Sequence, residues 1–143
     1  MTHGLDTSFF VAAELREHAK YAAARATVTR LRAASDLVAI APQVLTEFLH
    51  VATDPRRFAQ PLDVHTARQI AEQWWTASEV VQVFPDVGAV RQFFTWLAQL
   101  SLGRNRLLDT LLAATYGQAG IRSLLTTNPA DFQGFGVFTC VTP

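Results

Sequence analysis

Cysteine is nearly absent from this chain: Cys140 stands alone, so no internal disulfide can form and burial and hydrogen bonding must hold the fold. That usage fits a reducing cytosol, and a packed structural position is expected for the thiol. Lysine is equally scarce, with Lys20 alone beside eleven arginines. Twelve basic residues balance twelve acidic ones, which removes any case for nucleic-acid binding from net charge and leaves only local patches. No stretch approaches about eighteen unbroken apolar residues. The first apolar run is interrupted by Asp6 and Glu14 and has no basic leader before it. Neither a membrane span nor a signal peptide is expected, and the cytoplasm is the expected location.

Motifs are missing too. There is no GxSxG elbow, GxxxxGK[ST] loop, CxxC pair or HExxH helix, and Gly134-Phe135-Gly136 is too little for a dinucleotide fingerprint. His3, His18, His50 and His65 are scattered and read as incidental, although His50 lies one helical turn after Glu47. Trp74, Trp75 and Trp96 lie in segments rich in other apolar groups, which suits the core or a dimer interface better than base stacking.

What remains is a chain of 143 residues, 50% hydrophobic, the length of one domain with a sizeable core. Short apolar runs at Leu37–Ala41, Val80–Phe84, Ser123–Thr126 and Val137–Val141 read as strands, after a very short first strand at His3–Leu5. Because these runs are continuous rather than alternating, strands covered on both faces are expected. Long helical segments between them predict a short, mostly parallel sheet sandwiched by helices, an α/β/α fold in three layers. Thr7 or Ser8 is expected to cap the first helix, and Pro42 to sit in the first turn of the third. Asp63, Asp86 and Asn105 are expected caps further on, with Gly120 ending the last long helix. The loop Thr53–Pro61 carries Arg56 and Arg57, suited to solvent, to phosphates or to a partner's carboxylates.

Carboxylates occupy unusual places. Glu47 in VLTEFLHV borders an apolar helix face, and Asp109 sits among leucines in RLLDTLLAA. A structural ion pair suffices for the first, and the positive end of a helix for the second. Asp6, however, follows the first strand, and Asn128 and Asp131 leave the strand in SLLTTNPADF. The carboxyl edge of a parallel sheet is where ligands bind, so this architecture can gather all five residues. Clustered carboxylates persist best around a divalent cation, and oxygen-only ligands select Mg²⁺ or Mn²⁺ over zinc.

In order and spacing, LDTSFF around Asp6, PQVLTEFLHVATDPRRF around Glu47 and LLDTLLAATYGQAGIRSLLTTNPADF resemble the PIN domain, specifically the VapC-type toxins of bacterial toxin and antitoxin pairs. The resemblance spans nearly the whole chain. It implies a Mg²⁺-dependent endoribonuclease, usually a homodimer, silenced by a cognate VapB-like antitoxin and leaving a 5′-phosphate and a 3′-hydroxyl. Asp6, Glu47 and Asp109 match the three principal acids, and Asn128 or Asp131 the fourth position. Ser8 matches a small polar position that orients the metal or its water. RNA contacts would then fall to the nearest arginines, Arg56, Arg57, Arg104 and Arg106. In the family the first strand is usually a longer apolar run, which Thr2-His3-Gly4 replaces here. Two other readings stand beside it. A degenerate PIN-like module would bind RNA or protein without cutting, but all three acids are present. A receiver-like phosphoacceptor domain needs an acidic pair and a late lysine, and this chain has neither.

Overall fold

Five short strands form one sheet: β1 (Thr2–Leu5), β2 (Leu37–Ile40), β3 (Val80–Gln82), β4 (Ser123–Leu125) and β5 (Thr139–Val141). The computed structural model describes residues 1–143. Every pairing is parallel and the order is β3-β2-β1-β4-β5. Parallel neighbours require crossovers, and helices supply them. Between β1 and β2 lie α1 (Thr7–Glu14) and α2 (Tyr21–Ala33), and between β2 and β3 lie α3 (Pro42–Ala52) and α4 (Val64–Trp75). The chain then jumps from β3 to β4 through α5 (Val87–Gln99), a 3₁₀ turn (Arg104–Arg106) and α6 (Leu107–Gln118). A short α7 (Ala130–Gln133) links β4 to β5.

The chain winds outward from β1 to β3, returns to β4 on the other side of β1, and continues to β5. That reversal makes the gap between β1 and β4 the topological switch point, so a crevice is expected where both strands end. Hydrogen bonding holds the two together to the last residue, with Asp6 N donating to the Leu125 carbonyl at 3.0 Å.

One hydrophobic core joins the layers, with Phe9, Phe10, Leu5, Ile40, Phe48 and Leu124 fully buried. Phe10 stacks on Phe48 with centroids 3.9 Å apart. Tyr116 on α6 is also fully buried. Its hydroxyl donates toward the Leu5 carbonyl (2.8 Å), with the Ala39 carbonyl also in reach (3.1 Å), and accepts from Ala41 N (3.3 Å). A phenol bonded to the ends of both central strands fixes their relative height. Gly4 makes room for this ring, because a Cβ there would lie 2.7 Å from Tyr116 Cδ2.

Several expectations needed correction. Strands β2 to β5 are shorter than their apolar runs, β1 is one residue longer than expected, and β3 is an edge strand with Val81 and Gln82 exposed, so it is not covered on both faces. Thr7 and Ser8 lie inside α1, and Asp6 is its N-cap residue. Asn105 falls in the 3₁₀ turn and caps nothing; Arg106 precedes α6 without a side-chain cap bond. The Asn-Pro turn after β4 continues into α7. Asp63 and Asp86 do cap, accepting from Thr66 N at 2.8 Å and Ala89 N at 2.7 Å. Gly120 follows α6 with φ +78°, as a helix-ending glycine should. Trp74, Trp75 and Trp96 are half-buried against the core. No helix is long and apolar enough to cross a membrane.

Candidate active site

At the carboxyl ends of β1 and β4 lies an open cleft of about 600 Å³ lined by Asp6, Glu47, Asp109, Asn128 and Asp131. Each arrives from a different element: the end of β1, the middle of α3, the first turn of α6, the loop after β4 and the first turn of α7. All five expected residues, and Ser8 with them, therefore meet.

Asp6 is the most deeply set, 6% exposed. Its Oδ2 accepts from Ser8 Oγ at 2.5 Å and from Thr126 Oγ1 at 2.8 Å. The two hydroxyls are themselves oriented, because Thr127 N donates to Ser8 Oγ and Asn128 N donates to Thr126 Oγ1, each at 3.0 Å. With their lone pairs occupied by amides, both hydroxyls turn their protons toward Asp6. Burial pushes the Asp6 carboxyl above its ordinary range, and these hydroxyls and the first amides of α1 pull it back down.

Its neighbours are strained in the same direction. Glu47 is raised by burial and then by repulsion from Asp6, against smaller opposing effects of Thr7, Arg57 and His50. The buried Thr7 hydroxyl makes no hydrogen bond of ordinary geometry, so it helps Glu47 only as a nearby dipole. Asp109 is pushed up to about 7, first by burial and then by repulsion from Asp6, Asp131 and Glu47, which outranks the pull of Arg106.

A divalent, oxygen-seeking cation fits this donor set. The carboxylates repel one another, and no basic side chain offsets them fully. No three His, Cys, Asp or Glu side chains converge closely enough to hold an ion among themselves.

The arginines divide. Arg57 lines the cleft. Arg56 is exposed and bonded to Asp54 at 3.3 Å, and Arg104 is exposed, and neither borders the cleft. Arg106 donates to Asp131 Oδ1 at 2.7 Å and to the Asp131 carbonyl, so it braces α7. Four polar lining residues escaped sequence reasoning in that role: Thr7, His18, Asn105 and Thr127. Thr126, which orients Asp6, was also missed, although its place directly after a strand was a usable signal. His3 lies at the opposite end of β1, buried, with Nδ1 2.6 Å from Ser123 Oγ and Nε2 3.3 Å from Asp36. Its role there is to tie strand ends. Cys140 is half-buried, and burial raises its thiol, as suits an unreactive position.

Comparison with known proteins adds a family. The family model described as the PIN domain matches residues 5–135, while no curated protein matches significantly. Among solved structures, the chain is similar to the sarcin-ricin-loop-cleaving toxin VapC20 of Mycobacterium tuberculosis, at 22% identity and TM-score 0.75, with both chains fully covered. It is also similar to VapBC2 from Rickettsia felis, bound to a DNA fragment from its promoter, at 18% identity and TM-score 0.68, covering 100% and 99% of the two chains. VapBC-1 from nontypeable Haemophilus influenzae follows at 16% identity and TM-score 0.69, covering 99% and 98%.

Proposed function

This chain belongs to the PIN-domain family, and from that premise we propose that it is a VapC-type, Mg²⁺-dependent endoribonuclease that hydrolyses RNA phosphodiester bonds. The observation that carries the proposal is the gathering of Asp6, Glu47 and Asp109 at the switch point, each holding its proton more tightly than an ordinary carboxyl. Such a cluster is unfavourable by itself and becomes favourable around a cation.

Asp6 and Asp109 would hold Mg²⁺, or Mn²⁺, directly or through water, and Glu47 would complete the set or orient the attacking water. The ion would supply charge neutralisation and activation of water. Ser8 and Thr126 keep the Asp6 carboxylate in one rotamer, so its position does not have to be found anew at each turnover. Asn128, exposed at the rim, offers an amide for the outer shell. Asp131 is held by Arg106 and acts through α7 and through its charge on Asp109.

Two partners belong to this reading. Several structural relatives are toxin and antitoxin assemblies, which supports a VapB-like antitoxin. Val87, Val90 and Phe94 form an exposed apolar stripe along α5, with Phe84 beside its start, and a homodimer would cover it. The test is cleavage of a panel of structured RNAs with Mg²⁺ or Mn²⁺. EDTA and Asp6→Asn should both abolish cleavage; activity surviving in Asp6→Asn sinks the assignment.

A further inference from the structure

His18 sits in the turn between α1 and α2, a half-buried ring on the wall of the acidic cleft. The turn is tightly held: His18 N donates to the Leu15 carbonyl at 2.9 Å, and Tyr21 N donates to the His18 carbonyl at 3.0 Å. Lys20 N donates to His18 Nδ1 at 3.0 Å. A ring nitrogen that accepts a hydrogen bond carries no proton, so the imidazole's proton is on Nε2. Burial, and then the charge of Lys20, lower the ring's affinity for a second proton, which keeps it neutral. Nε2–H has no partner within the protein and is available to a ligand.

Glu17 joins this turn to the loop that carries Arg57. Its carboxylate accepts from two consecutive amides, Ala59 N at 3.0 Å and Gln60 N at 2.8 Å. Arg57 thereby lines the same cleft as His18, with Asp54 3.6 Å from its Nε. Along this wall His18 and Arg57 offer one neutral and one charged donor, and His18 Nδ1, already occupied, offers no acceptor. A base edge presents donors and acceptors together, whereas a phosphate only accepts. A negative backbone passing over an acidic floor also needs donors at the rim to hold it.

We propose that His18 and Arg57 form a subsite for a backbone phosphate of the RNA strand beside the scissile bond, with His18 contacting it through Nε2–H. The proposal rests on the nuclease reading above. Glu17 is a positioning residue for the subsite.

The test is steady-state cleavage of a single-stranded RNA oligonucleotide across a salt series, comparing wild type with H18A, H18Q and R57A and checking each for wild-type melting. Loss of one neutral hydrogen bond should raise KM by about threefold to tenfold in H18A while kcat stays within about twofold. H18Q, which retains an N–H near the position of Nε2, should recover most of that loss. The salt dependence separates the two donors. R57A should lower the slope of log KM against log salt by about 0.7, because one fewer counterion is released from a single strand. H18A should leave that slope unchanged, which general damage to the wall would not do. Wild-type KM in H18A, a loss confined to kcat, or a slope falling in H18A overturns the subsite. RNA left intact by wild type overturns the nuclease reading instead. Early melting of H18A moves the comparison to H18N, whose shorter amide does not reach the position of Nε2, and to R57A; unchanged KM in either overturns the subsite.

Discussion

Asp109 offers a direct measure of how far the cleft stores charge repulsion. Its carboxyl, ordinarily near 3.8, stands at about 7 in the folded protein. The folded state therefore binds this proton more tightly than the unfolded chain. Stability from Asp109 is fully present below about 3.9 and is lost as pH rises through about 7. The full shift, roughly three units, corresponds to about 4 kcal/mol. Asp109 is only half-buried, so solvent screening reduces that to about 1–2 kcal/mol. For a chain of this length such a loss lowers Tm by roughly 3–7 °C.

The assay is thermal melting in EDTA from pH 5 to pH 8, wild type beside Asp109→Asn. The amide cannot ionise, so the variant should lose less stability over this range and should melt above wild type at pH 8. Removing the Asp109 charge also relieves its repulsion with Asp6, Asp131 and Glu47, which reinforces the difference. Millimolar Mg²⁺ at pH 8 should recover the wild-type loss and help the variant less. Parallel melting of the two proteins from pH 5 to pH 8 would refute the reasoning, because it would mean that Asp109 ionises as freely in the fold as in the unfolded chain.

Mg²⁺ binding at pH 7 should release protons, seen as a calorimetric enthalpy that varies with buffer ionisation heat; Asp109→Asn should remove most of that dependence. Gly4→Ala should destabilise by about 1–3 kcal/mol in urea unfolding, since its Cβ would press into the buried Tyr116 ring; an unchanged midpoint would show that the ring can move. In the cleavage assay Asn128→Ala should abolish activity while Asp131→Asn spares it, and the reverse result would exchange their roles.

Much of this architecture was legible because its signals were local and unopposed. The apolar runs located four of the five strands, Asp63 and Asp86 marked two helix starts, and Gly120 marked an end, each through a preference the backbone enforces directly. The failures share a cause. Ser8 reads as a helix cap, but its hydroxyl is drawn to Asp6, and Asn105 reads as another until the chain tightens into a 3₁₀ turn ahead of α6. At both positions a neighbouring local arrangement displaces the cap, Asp6 by taking the N-cap place itself and the 3₁₀ turn by preceding α6, and both border the cleft. His18 was invisible as a site residue for a related reason: a turn with no motif brings it there, and Glu17, a residue with no sequence signal of its own, holds that turn to a loop forty residues away.

Arg106 shows how the same pocket divides its acids between structure and chemistry. A guanidinium bonded to both the side chain and the carbonyl of Asp131 fixes the first turn of α7 and partly offsets a carboxylate whose charge still reaches Asp109. Asp6 is treated differently: it receives only neutral hydroxyls and amides, which orient it and leave its charge in place. Neutral donors hold geometry without cancelling charge, whereas an arginine does both. A carboxylate meant to attract a cation must be positioned in the first way. Under the proposed function, Asp6, Glu47 and Asp109 would face the cation, and Asp131, ion-paired to Arg106, would support them.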